Sequence, residues 1–204
     1  GSCIDASKHI ACAAYYDGKP WDLVMDRSKV KKALPIAVVL TICATGSEMN
    51  SGAVISNEET HEKLEINTPL LYPALSICDP TYLYTLPAKQ TAAGTADIIS
   101  HVFEQYFQPN DGAFITDRLS EAVLKTCFEY GPVAMKEPEN YEARATMMWA
   151  SSLSHNDLTG CGRENALAVH QLEHALSGEY TEIAHGAGLA VLFPAWARFC
   201  YHRN

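Results

Sequence analysis

Residues 91–106 read TAAGTADIISHVFEQY and residues 168–188 read AVHQLEHALSGEYTEIAHGAG. In the first stretch Ala92, Ala93, Ala96, Ile98, Ile99, Val102 and Phe103 leave hardly any polar face, which predicts a buried helix. Asp97 and His101 stand four apart in it and therefore share one face, one turn apart. A buried aspartate without a partner is costly or shifts its pKa, and a cation relieves that cost. His170, His174 and His185 bring three imidazoles into similar apolar sequence. A His-x3-His pair on one helical face is a common metal grip, though spacing alone leaves open which of His170 and His174 is the ligand. His185 precedes Gly186 and an apolar run, the place of a ligand presented at a helix start. Imidazoles with one carboxylate suit zinc or ferrous iron, whereas calcium and magnesium prefer oxygen shells. Each residue also has a structural reading: Asp97 as a cap or ion-pair partner, the histidines as core residues, His185 as a cap. His9, His61, His155 and His202 stand in less coherent contexts and read as structural or surface residues.

Outward from these stretches, the character of the chain changes at Pro87. Helical patterns cover 88–107, 115–130, 139–158, 163–177 and 186–200. Thr116-Asp117 and Pro138-Glu139 supply start signals for two of them, and Gly131-Pro132 supplies a stop. Before Pro87 a helix is predicted over 3–16, ended by Asp17-Gly18, followed by a buried strand over 34–40. Further strands are predicted over 53–56, after the turn in EETHEKLEI, and over 74–80. The fold class is α/β up to about residue 86, then all-α, giving parts 1–86 and 87–204.

Composition narrows the classes of function. The 204 residues are 48% hydrophobic, enough for one or two domains with real cores. The net charge is −9 and lysines and arginines are scattered, which argues against a nucleic-acid partner. No apolar run approaches the length of a membrane span, and no signal peptide is visible. The seven cysteines are odd in number and form no CxxC, which fits reduced, buried thiols in a cytoplasmic protein. The chain starts in helical sequence and ends soon after PAWARFCYHRN, the pattern expected of a piece of something longer.

The segment TICATGSE (41–48) follows a predicted strand, and its Thr45, Gly46 and Ser47 could offer hydroxyls and N–H groups to a phosphate or ribose. On pattern alone the favoured reading of these residues is a polar turn after a strand. Gly1-Ser2 before a helix fits the tail of a phosphate-binding turn. There is no GxSxG and no HExxH, although Glu104 and Glu173 neighbour the histidines as candidate general bases for a metal-assisted hydrolase or lyase. A metal-binding fragment without catalysis is the other alternative.

Several strings, in order, resemble the iron-containing (group III) alcohol dehydrogenases, nearest the butanol dehydrogenase and NADPH-dependent aldehyde reductase branch. They are GSCIDASK, LTICATGSEMNSGAVIS, DPTYLYTLP, GTADIISHVFEQY, DRLSEAVL, GPVAMKEPENYEARATMMWA and AVHQLEHALSGEYTEIAHGAGLAVLFPA. The resemblance implies a partial Rossmann-like nucleotide-binding domain joined to a helical, dehydroquinate synthase-like metal domain, truncated at both ends. It implies that Asp97, His101, His170 and His185 hold a divalent metal, iron or zinc. It assigns His174 to a place near the nicotinamide, where an ordinary pKa near neutrality would suit a proton relay. It implies that Gly1 and Ser2 end a glycine-rich turn over the pyrophosphate, that Thr41, Thr45 and Ser47 line an NADP or NAD nucleotide with Asn50 close by, that Lys63 reaches the nicotinamide-side ribose, and that Tyr82 packs near the cofactor. The implied reaction is hydride transfer between a primary alcohol and an aldehyde, in a cytoplasmic homodimer. Ile42 departs from the family pattern, where a second threonine is common.

Overall fold

A computed structural model describes residues 1–109, 112–164 and 166–202. The α/β part opens with α1 (Ser2–Ala13) and a short α2 (Trp21–Met25). Strand β1 (Ala37–Val39) pairs in parallel with β4 (Leu75–Ile77), Val38 opposite Ser76. Between them β2 (Gly52–Asn57) and β3 (Glu62–Asn67) form an antiparallel hairpin, with Ala53 opposite Ile66. Then follow α3 (Ala88–Tyr106), α4 (Phe114–Lys136), α5 (Tyr141–Ser154), α6 (Ala168–Glu179) and α7 (His185–Tyr201).

Helix α3 is the axis of the helical part and packs against α4, α5, α6 and α7. Its near-continuous apolar surface is the reason: Ile98 and Val102 are fully buried, each contributing roughly 1.5–3 kcal/mol. Their core joins Val123, Leu124 and Cys127 of α4 and Met147 and Met148 of α5 to Leu40, Cys43 and Leu83 from the α/β side. A second core of Cys12, Leu23, Ala53, Ile66 and Leu71 seats the hairpin against α1 and α2. The two cores hold the segment between β1 and β2 against the helices.

Several expectations need correction. Helix α4 runs through Gly131-Pro132 to Lys136, because its face continues with Ala134 fully buried, and packing outweighs the one N–H that proline lacks. Helix α5 starts after Asn140, whose side chain accepts from the Ala143 N–H at 3.0 Å, and not at Pro138-Glu139. It ends at Ser154 rather than 158. Helix α6 starts at Ala168, five residues later than the pattern suggested, and Asn165 of that span lies outside the described residues. Strand β1 is short and only Val38 of it is buried: Val39 is 50% exposed, so the apolar run is not a buried strand. Of the seven cysteines, all free, only Cys12, Cys43 and Cys127 are buried.

Candidate metal centre

Three elements bring the candidate donors together. Asp97 and His101 lie one turn apart on α3, His170 sits in the first turn of α6, and His185 is the first residue of α7. The approach of α7 to α3 depends on Gly186, where a Cβ would overlap the carbonyl oxygen of Ala93. The Asp97 Oδ1 atom is 3.5 Å from His101 Nδ1, 3.4 Å from His170 Nε2 and 3.5 Å from His185 Nε2. Each of these spacings is close to the ~3.4 Å between neighbouring donors on a tetrahedral ion with bonds of ~2.1 Å. Donor atoms of Asp97, His101 and His170 all lie within 4.8 Å of one another, while His185 groups with Glu173 and His174 and approaches the first set through Asp97.

The electrostatics of the cluster call for a positive charge. Asp97 Oδ2 and His101 Nδ1 are buried and have no hydrogen-bond partner. Burial opposes the charge on Asp97, but His101, His170 and His185 around it outweigh burial and hold its carboxyl well below the ordinary range. Burial drives His101 well below its ordinary value. Burial also opposes the charge on His170, yet its bonds to Asp97 and Glu104 raise it to about 9. His170 Nδ1 lies 2.5 Å from Glu104 Oε1 and donates to it, and in the metal-free chain the protonated Nε2 faces Asp97 Oδ1 at 3.4 Å. Once deprotonated, Nε2 would set a lone pair against that oxygen, a repulsion that a cation between them relieves. Borderline donors, orphaned buried atoms and donor spacing all fit a divalent ion of the zinc or iron kind.

A carboxylate also stands behind His185. Its Nδ1 is bonded to Glu173 Oε2, leaving Nε2 for Asp97. Glu173 Oε2 in turn accepts from Lys63 Nζ at 3.2 Å, and Lys63 Nζ donates to Ser177 Oγ at 2.7 Å. Glu173, His174 and His185 also cluster, but the Lys63 ammonium already supplies the positive charge there. The two glutamates are thus committed behind candidate donors, to His170 with the Val169 N–H and to His185 with Lys63. Neither is free as the general base that a metal-assisted hydrolase requires. Sequence suggested Glu104 and Glu173 for that base because they neighbour the histidines; their role as partners of His170 and His185 is tertiary.

His174 is half-buried, its ring centroid 5.3 Å from that of His185 and 6.4 Å from that of His170. Burial first, then the Lys63 ammonium, depress its imidazole to about 3. The expected value near neutrality is therefore not met, and His174 is a neutral ring. His155 was read as structural or surface, but its ring lies 4.2 Å from that of His101, and its Nδ1 is buried without a partner. It also touches the 45–47 turn, where a Cβ on Gly46 would lie 3.3 Å from His155 Cβ. No spacing rule pointed to it, since its helix neighbours carry no second donor.

The candidate nucleotide residues are placed in different surroundings. Gly1 caps α1 and packs against Thr45, where a Cβ would stand 3.0 Å from Thr45 Cγ2. Gly1, Ser2 and Thr45 therefore adjoin at a helix N-terminus whose first N–H groups lack intrahelical partners. Ser47 and Asn50 are committed to the fold. Ser47 Oγ donates to Asp5 Oδ1 at 2.5 Å, while Asn50 accepts from the buried Lys8 Nζ at 3.0 Å and donates to the Thr45 carbonyl at 3.2 Å. Lys63 points into the Glu173 pair, whereas Thr41 and Tyr82 are exposed on the surface.

An α/β part leading into a helical part, with one carboxylate and three imidazoles converging from three helices, defines a metal-site protein of two-part construction. Residues 91–204 match the family described as Fe-containing alcohol dehydrogenase family, C-terminal, and residues 1–80 match Iron-containing alcohol dehydrogenase. The chain belongs to the iron-containing alcohol dehydrogenase family. It is 54% identical over its whole length to NADH-dependent butanol dehydrogenase B of Clostridium acetobutylicum, covering 52% of that protein. It is 42% identical to the NADPH-dependent aldehyde reductase of Escherichia coli, over 96% of this chain and 51% of that one. The crystal structure of NADH-dependent butanol dehydrogenase A from Thermotoga maritima superposes with a TM-score of 0.94 at 42% identity, over 98% of this chain and 50% of that one. The chain spans about half the length of the curated relatives it matches.

Proposed function

We propose that this chain carries the metal centre and part of the nucleotide site of an NAD(P)-dependent oxidoreductase that interconverts a butanol-like primary alcohol and its aldehyde. The observation that carries this reading is the convergence of His101, His170 and His185 on Asp97 Oδ1 at 3.4–3.5 Å. The names of the relatives, butanol dehydrogenases and an aldehyde reductase, point to the same chemistry. In this reading residues 87–204 hold the metal through Asp97, His101, His170 and His185, and residues 1–86 supply Gly1, Ser2 and Thr45 to the nucleotide phosphates.

When bound, the divalent ion, iron or zinc, supplies Lewis acidity toward an alcohol or carbonyl oxygen, and the nicotinamide supplies or accepts the hydride. The protein's part is to orient and to exclude water. Glu104 fixes the ring of His170. Ser47 and Asn50 hold the 45–50 turn rigid from behind, through Asp5 and Lys8. His174, half-buried beside the cluster and kept neutral by burial and the Lys63 ammonium, offers a ring nitrogen as a hydrogen-bond acceptor rather than titrating near neutrality. Thr41, Lys63 and Tyr82 complete the proposed nucleotide surface on the strength of the family resemblance.

Seven free thiols support a reducing, cytoplasmic setting, and the acidic surface supports the absence of a nucleic-acid partner. No helix among the described residues is long and apolar enough to cross a membrane. A homodimer of the whole protein follows from the resemblance. The test is to load the protein with zinc or ferrous iron, add butanal with NADH or NADPH, and follow 340 nm absorbance. Oxidation of the nicotinamide that vanishes in Asp97→Ala is expected. Hydrolysis of an ester substrate without any nicotinamide turnover would contradict the reading.

A further inference from the structure

Behind His185 lies a device that the proposed chemistry does not use directly. Glu173 is completely buried on α6, and its Oε2 contacts both His185 Nδ1 and, at 3.2 Å, Lys63 Nζ. Lys63 reaches across from β3 and is anchored by Ser177 Oγ at 2.7 Å. Its Nζ is also 3.4 Å from His185 Nδ1. Helix α7 makes room for the carboxylate at Gly188, one turn beyond His185. A Cβ there would stand 2.9 Å from Glu173 Cγ and 3.0 Å from Oε1. Glu173 Oε1 meanwhile has no hydrogen-bond partner.

This arrangement is poor value as a stability element. A buried ion pair is commonly no more stabilising than apolar residues of the same volume, and this one leaves a buried oxygen unpaired. What it does achieve is control of one ring. A neutral imidazole divides its proton between two nitrogens and can turn about its side-chain bond. A carboxylate at Nδ1 keeps the proton there and leaves Nε2 as the donor. His185 Nε2 is the atom 3.5 Å from Asp97 Oδ1.

We propose that Glu173, held by Lys63 and Ser177 and seated over Gly188, is a positioning residue that fixes the tautomer and ring orientation of His185 as a metal donor. The proposal rests on the metal-centre reading above. It gives Lys63 a place in the metal centre, not only at a nucleotide.

The test uses the full chain and two readouts. Zinc affinity is measured by competition with a chromophoric chelator, and the proton position on His185 is read by 15N–1H correlation spectroscopy of the metal-free chain. In the unsubstituted chain His185 should carry its proton on Nδ1. In Glu173→Gln the proton should move to Nε2 or divide, and zinc affinity should fall about 10–100-fold. Gly188→Ala, which alters no ionisable group but displaces the carboxylate, should lower affinity in the same direction. A His185 proton on Nε2 in the unsubstituted chain overturns the proposal. So does Glu173→Gln that melts earlier while keeping tautomer and zinc affinity, the result of a purely structural role. Asp97→Ala separates the two readings. If it loses zinc while Glu173→Gln retains full affinity, the positioning role alone fails. If Asp97→Ala also keeps zinc, the metal centre itself is wrong.

Discussion

Glu104 on α3 touches His170 and the residue before it at once: Oε1 lies 2.5 Å from His170 Nδ1, and Oε2 accepts the Val169 N–H at 2.6 Å. One buried carboxylate thereby fixes both the ring of a proposed metal donor and the start of the helix that bears it. Glu104→Ala removes both bonds and leaves two donors, His170 Nδ1 and the Val169 N–H, unsatisfied in the core. We expect a loss of about 3–5 kcal/mol of stability and about 10–100-fold in zinc affinity. Glu104→Gln keeps an acceptor for Val169 and should lose less stability. Chemical denaturation with chelator competition measures both, and an alanine variant that matches the unsubstituted chain in both would refute the role.

Gly186 tests the helix approach. A methyl group there meets the Ala93 carbonyl, a backbone atom that cannot rotate away. Gly186→Ala should cost about 1–3 kcal/mol and move His185 off Asp97. The expected outcome is a lower melting temperature together with weakened zinc binding. Normal zinc affinity in this variant would mean that α7 reaches the site by another contact.

The metal-free chain should carry a pH signature. His170 is raised from 6.5 to about 9, its bonds to Asp97 and Glu104 outweighing burial. A base raised in the folded state contributes stability that is complete below its unfolded value. That stability is lost as pH climbs through the folded one. The melting temperature of the metal-free chain should therefore decline between about pH 6.5 and 9. Zinc takes the proton's place, so its uptake at neutral pH should release a proton. Calorimetry in two buffers of different ionisation enthalpy counts that proton, and a count of zero would contradict the assignment.

His155 separates packing from ligation. Its ring lies against that of His101, centroids 4.2 Å apart and tilted by 33°, and it has an unpaired buried Nδ1. His155→Phe keeps a ring in contact and removes the unpaired nitrogen. It should melt no lower than the unsubstituted chain and bind zinc within about threefold of it, since one lost neutral contact is worth well under a kcal/mol. His155→Ala opens a cavity and should destabilise by about 2–4 kcal/mol. Loss of zinc in the phenylalanine variant would make His155 a ligand.

Much of this was legible in the chain. The apolar surround of Asp97 and His101 predicted a buried helix, and α3 is one because Ile98 and Val102 need partners on several sides. Spacing left His170 and His174 open and the family resemblance chose His170; the structure places His101, His170 and His185 each within 3.5 Å of Asp97 Oδ1. Local rules failed where packing decides. Pro132 sits inside α4 because Ala134 beyond it is buried. The bonds of Ser47 to Asp5 and of Asn50 to Lys8 join residues more than forty positions apart, which no local rule connects. The pairings Glu104–His170 and Lys63–Glu173 span 66 and 110 positions. His174 was expected near neutrality because sequence carries no measure of burial or of the Lys63 ammonium beside it.

The central claim is that Asp97, His101, His170 and His185 share one divalent ion. Its most direct measurement is metal stoichiometry by elemental analysis after equilibration with zinc, for the chain and its four single alanine variants. One ion per chain, lost in each folded variant, is the predicted result. A variant such as His101→Ala that keeps a full equivalent at unchanged affinity would contradict it.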